Sequence, residues 1–117
     1  MSVYLFNERP GVTNVADYIF FPCDGVEMHP DELDALKGAY PSFAHKIETG
    51  EITVYDSKKD KETIEARQKE FNYYMSLKPR QVPIIKIFPG EKMSLRDITI
   101  QGARAKKRFL EDYSNVD

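Results

Sequence analysis

The chain has 117 residues, of which 41% are hydrophobic and 31% are charged, with seven tyrosines and seven phenylalanines. This length accommodates one domain and one continuous core, because separate cores usually need about 100 residues each, and the aromatic content excludes an intrinsically disordered chain. The single cysteine excludes an internal disulfide, and the sequence has neither a long apolar run nor a basic, apolar leader. We therefore expect one cytosolic domain over residues 1–117 and no membrane contact.

The net charge of −2 conceals a segregation of charge along the chain. Residues 1–57 carry ten acids and three bases, a balance of −7, whereas residues 78–108 carry nine bases and two acids, a balance of +7. Such an asymmetry bears on association rather than on fold, so it fits an acidic partner or a second copy of the chain. Attraction between the two halves of one molecule is the alternative interpretation.

Two strands are predicted near the N-terminus. Residues 3–6 and residues 17–21 are rich in aromatic and β-branched side chains, which favour strands. The first run is followed by a Pro-Gly turn signal, and the second by Pro22 and then Asp24-Gly25. Proline removes a hydrogen-bond donor and glycine supplies a positive φ, so both runs are expected to end there.

Two short helices are predicted next. Pro30 suits the first turn of a helix, where its missing N–H group is not needed, and the acids that follow it favour the positive end of the helix dipole. A helix is therefore expected over residues 30–38. After Pro41, Ser42 is predicted to cap a second helix that runs through Glu48.

The middle of the chain predicts a strand, a helix and another strand. Residues 51–55 alternate polar and apolar side chains, as a half-buried strand does. Residues 58–77 lack Gly and Pro and place a thin apolar stripe on one helical face, so a helix with a solvated, charged outer face is expected. Residues 82–88 predict a strand, and Pro83 favours an edge position for it.

The last segment has the clearest helical pattern. Ser94 and Asp97 form a start that resembles a capping box, and a helix is predicted over residues 95–113. The apolar positions step by three and four residues: Leu95, Ile98, Gly102, Ala105, Phe109 and Tyr113. This stripe, Phe109 included, is expected to close the core. Residues 98–100 leave a strand paired with residues 84–88 as an alternative.

Together these elements predict an α+β fold in two layers. Its sheet would have four short strands, near residues 3–6, 17–21, 51–55 and 82–88, and would be covered by the two long helices.

Residues 18–55 also carry a family resemblance. They combine a strand that ends at Pro22, an acidic helix start at Pro30, a second helix entered through Pro41 and a strand that follows Gly50. In this order they resemble a small module of virion-associated and accessory proteins of tailed bacteriophages. The resemblance implies a structural or assembly protein in the host cytoplasm or in the virion.

No catalytic constellation is visible in the sequence. Cys23 and His29 lie six residues apart around a turn, but the sequence offers no obvious group to orient them, and His45 has no partner at helical spacing. Neither of the common phosphate-binding glycine patterns occurs. We therefore expect a protein that is not an enzyme, with no catalytic residue, no cofactor and no metal.

Partner contacts are expected on two charged surfaces. The basic one lies on the terminal helix and the acidic one on the helix at residues 30–38. Charge reversal at Lys106 and Lys107 should leave folding nearly intact, because an exposed charge rarely contributes more than about 1 kcal/mol. The candidate contact residues are Arg104, Lys106, Lys107 and Arg108 on the first surface and Asp31, Glu32 and Asp34 on the second.

Two functions follow from these patterns. The first is a non-enzymatic phage structural or assembly protein that acts through protein–protein contacts, with a foreign partner or with other copies of itself in an oligomer. The alternative is a small regulator that uses the basic helix to bind nucleic acid or a nucleic-acid-associated host protein. The pI of about 5.7 and the lack of a recognised motif make nucleic acid the weaker interpretation.

Overall fold

The computed structural model describes residues 2–83, 85 and 92–114. The predicted α+β fold class is confirmed: four α-helices pack with a three-stranded antiparallel sheet and a separate two-stranded sheet. Across the described residues, none of the helices combines the length and the apolar character needed to cross a membrane.

The main sheet is built around β1 (Val3–Asn7). Its two neighbours, both antiparallel, are β4 (Val26–Met28) and β5 (Ile52–Asp56). Because side chains alternate along a strand, Leu5 faces one side of the sheet and Phe6 the other. The predicted strands at residues 3–6 and 51–55 are confirmed, whereas β4 was not predicted.

The two-stranded sheet is a hairpin of β2 (Thr13–Val15) and β3 (Tyr18–Phe20). The expectation that residues 17–21 would join the main sheet was therefore wrong. Its cause is local pairing: the turn at Ala16 adopts a φ of +52°, a left-handed conformation without the usual glycine signal, and it returns the chain onto β2.

The two short helices are α1 (Pro30–Ala39) and α2 (Pro41–Glu48). Both begin with a proline, as expected for the first helical position. His29 caps α1, because its Nδ1 atom accepts a hydrogen bond from the Asp31 backbone N–H at 3.1 Å. The predicted cap of α2 was wrong: α2 starts one residue before Ser42, and Tyr40 occupies the N-cap position without a side-chain hydrogen bond.

The C-terminal half is a pair of packed helices, α3 (Lys61–Ser76) and α4 (Leu95–Ser114). The Ser94 hydroxyl accepts a hydrogen bond from the Asp97 backbone N–H at 3.2 Å, so the predicted cap of α4 is confirmed. Residues 98–100 are helical, which excludes the strand alternative. A 3₁₀ turn, Pro79–Gln81, follows α3.

The predicted strand at residues 82–88 falls largely outside the described residues. Val82, Pro83 and Ile85 are described and do not belong to a strand, while residues 84 and 86–88 lie outside.

Among the described side chains, to which that of Tyr113 does not belong, the apolar stripe of α4 is buried only in its middle. Ile98 and Gly102 are buried as expected, but Leu95 and Phe109 are exposed, Phe109 by 41%. Phe109 therefore does not close the core as expected. Phe109 packs on the Phe21 ring, outside the helix core, at a centroid distance of 5.7 Å.

The buried apolar residues form two clusters. The described members of the sheet core come from β1 to β5, α1 and α2: Leu5, Val15, Phe20, Met28, Leu33, Leu36, Phe43 and Ile52. Those of the helix core come from α3, α4 and one turn: Cys23, Phe71, Tyr74, Ile98, Ile100 and Ala103. Among the described members of the helix core, Cys23 is the one that precedes β5 in the chain.

Candidate functional site

The basic cluster of α4 is mostly directed into the molecule. Lys106 Nζ lies 2.8 Å from Asp24 Oδ2, and Lys107 Nζ donates to the Leu77 carbonyl. Arg104 Nη2 donates to the Pro83 carbonyl at 3.0 Å. Three of the four expected partner contacts therefore make internal hydrogen bonds. Arg108 is the member for which the structure gives no such bond within the described chain.

Lys106 is more than a surface charge. Its side chain is 32% exposed and that of Asp24 only 8%, so the ion pair is largely shielded from water. Lys106 is therefore not the exposed charge that the sequence suggested, and Lys106→Glu is expected to destabilise the fold, because it would place two carboxylates in contact at a shielded position. The attraction between the acidic and the basic half of the chain is, in this pair, intramolecular.

Asp24 belongs to a short segment that connects the two cores, residues 21–25, which we call the connecting segment. Its Phe21 ring packs on Phe109 at a centroid distance of 5.7 Å, and its Cys23 lies in the helix core. Gln68 of α3 donates to Asp24 Oδ1 at 3.1 Å and accepts from the Gly25 N–H at 2.9 Å. The segment is therefore held by α3 and α4 together.

The backbone of the connecting segment is in close contact with α4. A methyl group at Gly102 would lie 1.8 Å from the Pro22 carbonyl oxygen, so only glycine permits this approach. Cys23 adopts a φ of +61°, which is uncommon for a residue with a side chain. The sequence indicated neither the close approach at Gly102 nor the left-handed conformation of Cys23, because Gly102 was interpreted as one more position in the apolar stripe of α4.

Arg67 of α3 is the other residue that sequence analysis missed. Its guanidinium stacks over the Phe6 ring at 4.4 Å from the centroid, forms an ion pair with Glu8, and donates to Tyr55 Oη at 3.2 Å and to Cys23 Sγ at 3.5 Å. Burial acts to lower the pKa of Arg67, but the Glu8 carboxylate outweighs it and raises this pKa above its ordinary value. The charge is therefore permanent.

The remaining exposed part of α4 borders an apolar groove. The groove encloses about 380 Å³ between the β2–β3 hairpin and α4. Its floor is apolar, and Arg108 and Asp112 lie on its α4 side. We call it the α4 groove, and its lining residues are Val12, Asn14, Ile19, Phe21, Ala105, Arg108, Phe109 and Asp112.

The acidic surface predicted on α1 is present. Asp31, Glu32 and Asp34 are all exposed. Glu32 accepts a hydrogen bond from Tyr18 Oη at 2.5 Å, and this bond raises the pKa of the Tyr18 phenol. Asp31 Oδ2 lies 3.5 Å from His29 Nδ1. The structure gives Asp34 no ion pair among the described residues, so its carboxylate is available to a partner.

The candidate catalytic residues are not brought together as a reactive pair. Burial raises the pKa of the Cys23 thiol, and its described polar neighbours are Thr99 and Arg67, while His29 uses Nδ1 to cap α1. His45 is exposed on α2. Within residues 2–83, 85 and 92–114, there is no group of three His, Cys, Asp or Glu side chains that could hold a metal ion.

Comparisons with known protein families, with curated proteins and with solved structures found no match to this chain. The resemblance to phage virion-associated proteins therefore stays a prediction.

Proposed function

We propose that this chain is a non-enzymatic structural or assembly protein, of the phage class that its sequence resembles, and that it works through protein–protein contacts. The observation that carries the proposal is the exposed apolar surface beside Arg108: Val12 and Phe109, which line the same groove, are 44% and 41% exposed. Aromatic residues and arginine are enriched at the centres of protein interfaces. An arginine beside exposed Val and Phe side chains fits such a centre.

The proposed occupant of the α4 groove is α1 of a second copy of the chain. Charge complementarity with Arg108 supports this choice, because α1 presents Asp31 and Asp34 to solvent and Arg108 borders the groove. Asp112 borders the groove on the same side, so α1 must dock with its two carboxylates at Arg108 and away from Asp112. The C-cap of α1, Tyr40, is 41% exposed and supplies an aromatic side chain for the apolar floor. Such a contact joins two different surfaces, so repeating it builds a ring or a filament rather than a closed dimer.

Nucleic-acid binding receives less support from the same contacts. Arg104, Lys106 and Lys107 are hydrogen-bonded within the molecule, and affinity for a phosphate backbone grows with the number of free cations that can reach it. Nucleic-acid binding is therefore an alternative outcome of the experiment described next.

The experiment is light scattering after size-exclusion chromatography, over a range of protein concentrations at low ionic strength. Wild type should form species larger than a monomer, and Arg108→Glu should be monomeric. Lys69→Glu is the matched control, because it makes the same charge change at an exposed position of α3 and should assemble as wild type does. The double variant Arg108→Glu with Asp34→Arg should regain assembly.

Two results would reject this proposal. A wild-type protein that stays monomeric at every concentration removes self-association. Equal loss of assembly in Lys69→Glu and Arg108→Glu shows a general charge effect instead of a contact at the groove. Adding a DNA or RNA duplex to the monomeric sample then tests the regulator directly, since its binding should weaken steeply with salt.

A further inference from the structure

Three cations of α4 border a second cavity, on a different side of the helix from the contact between Lys106 and Asp24. This cavity encloses about 310 Å³ between α4 and the residue that follows the 3₁₀ turn. Its residues from α4 are three or four positions apart, which is the spacing that places side chains on one face of a helix. We call it the basic cavity, and its described lining residues are Val82, Arg104, Lys107, Arg108 and Glu111.

Backbone carbonyl groups hold two of these cations in place. Arg104 Nη2 donates to the Pro83 carbonyl at 3.0 Å, and Lys107 Nζ donates to the Leu77 carbonyl. Each of these bonds uses one N–H group, whereas a guanidinium carries five such groups and an ammonium carries three. Both side chains are therefore positioned by the fold and still keep donors that the described chain does not use.

The positive charge of the basic cavity is not neutralised within the described chain. Arg104, Lys107 and Arg108 form no ion pair with a described carboxylate. Lys107 is half-buried, and a charge that loses part of its hydration is normally paired with an opposite charge. Among the described lining residues, three cations and the one carboxylate of Glu111 leave a net charge of +2.

We propose that the basic cavity binds a phosphate monoester, whose phosphate oxygens accept hydrogen bonds from Arg104, Lys107 and Arg108. Such a group carries a charge of about −1.5 to −2 at neutral pH, which matches the net charge of the cavity, and its tetrahedral oxygens accept bonds from several cations at once. A carboxylate carries a single negative charge and would leave the cavity positive. The cavity volume is at the lower end of the range for small-molecule sites, roughly 300–1,000 Å³.

This site differs from a nucleic-acid surface and does not rest on self-association. A nucleic acid needs cations that are spread along its backbone, whereas one phosphate group needs only cations that converge on one cavity. Arg108 borders both the α4 groove and the basic cavity. Binding is therefore measured at a protein concentration at which light scattering gives a monomer, so that its result is independent of assembly.

The probe is O-phosphoserine, added to wild-type protein at constant ionic strength and followed by NMR of the arginine side-chain N–H groups. The signals of Arg104 and Arg108 should shift and saturate as the site fills. The signal of Arg9, which pairs with Glu51 outside this cavity, should not shift. Serine without the phosphate is the ligand control and should give no saturable shift at any of the three arginines.

Variants distinguish the cavity from general charge attraction. Lys107→Met removes the charge but keeps the apolar stem, so it should weaken the affinity for O-phosphoserine by about tenfold, as expected for the loss of one charge-assisted hydrogen bond. Lys69→Met makes the same change at an exposed position of α3 and should alter the affinity by about twofold or less. If Lys107→Met does not fold, Arg104→Gln provides the same comparison within the cavity.

The absence of a saturable shift at Arg104 and Arg108 overturns the proposal. Equal loss of affinity in Lys107→Met and Lys69→Met overturns it as well, because the attraction would then be a property of the whole surface. A peptide with a central phosphoserine identifies the source of the phosphate. Tighter binding of the peptide than of free O-phosphoserine supports a phosphorylated protein as the ligand, and equal or weaker binding supports a small phosphorylated molecule.

Discussion

The two cores of this protein differ in how they are built and in what a sequence reveals about them. The sheet core joins seven short elements, and its aromatic members Phe20 and Phe43 stack at 5.7 Å between centroids. The helix core joins two long helices and incorporates the connecting segment as its third component. The first core depends on local turns and pairing, and the second on one inserted loop that combines buried apolar contacts with polar ones.

The largest expected effect is the loss of a fully buried aromatic ring, compared with the loss of a partly exposed one. Phe43→Ala removes a fully buried ring from the sheet core and should lower the free energy of unfolding by about 4 kcal/mol. Phe109→Ala, at a ring that is partly solvated, should cost only about 1 kcal/mol. Urea unfolding of both variants measures the difference, and equal losses would show that Phe109 belongs to a core after all.

The next effect tests how tightly the connecting segment is held. Gly102→Ala must push α4 away from the Pro22 carbonyl and should cost about 3 kcal/mol. Gly38→Ala in α1 is the control, since a methyl group there meets no atom within 4 Å and alanine favours a helix. That control should stabilise the protein by about 0.5 kcal/mol or more. A harmless Gly102→Ala would contradict the close approach.

A smaller effect distinguishes the two kinds of basic residue on α4. Lys106→Glu faces Asp24 and should cost about 2 kcal/mol, less than for a fully buried pair because the lysine is partly exposed. Arg108→Glu should change the free energy of unfolding by less than about 0.5 kcal/mol. Thermal unfolding at one pH checks both, and the same stability loss in both variants would remove the distinction.

The smallest expected effect concerns the turn at residues 57–60, between β5 and α3. The backbone N–H groups of Lys59 and Lys58 hold the pKa of Asp56 below its ordinary value of 3.8. The stabilisation from this carboxylate is therefore present above that value and is lost as the pH falls through the lowered pKa. Asp56→Asn should reduce stability near neutral pH, and its difference from wild type should shrink in acid. A difference independent of pH would assign the effect to the side-chain shape alone.

The elements that the sequence predicted are those with local causes. Proline at the start of α1 and Ser94 before α4 act through their own backbone neighbours, so pattern and propensity suffice to find these helices. β4 was missed because a strand of three residues is too short to show a periodicity, and its pairing with β1 is non-local. The same holds for the hairpin turn at Ala16, which lacks a glycine signal.

The site residues were harder to predict because their roles depend on tertiary contacts. Arg67 read as part of a solvated charged face, although it lies three residues after Ile64 and four before Phe71, on the buried stripe of α3. That spacing was the available signal. In contrast, no pattern in the sequence indicates that Lys106 turns inward to Asp24, 82 residues away, while Arg108 stays exposed.

The most direct test of the two-core account is amide hydrogen exchange, followed by NMR as a function of urea. Because the connecting segment is buried against α3 and α4, the account predicts that the Gly25 N–H, which Gln68 holds, exchanges with the same free energy and urea dependence as the amide of Leu5 in the sheet core. A lower free energy and a weaker urea dependence at Gly25 would contradict it, since the connecting segment would then leave the helices without global unfolding.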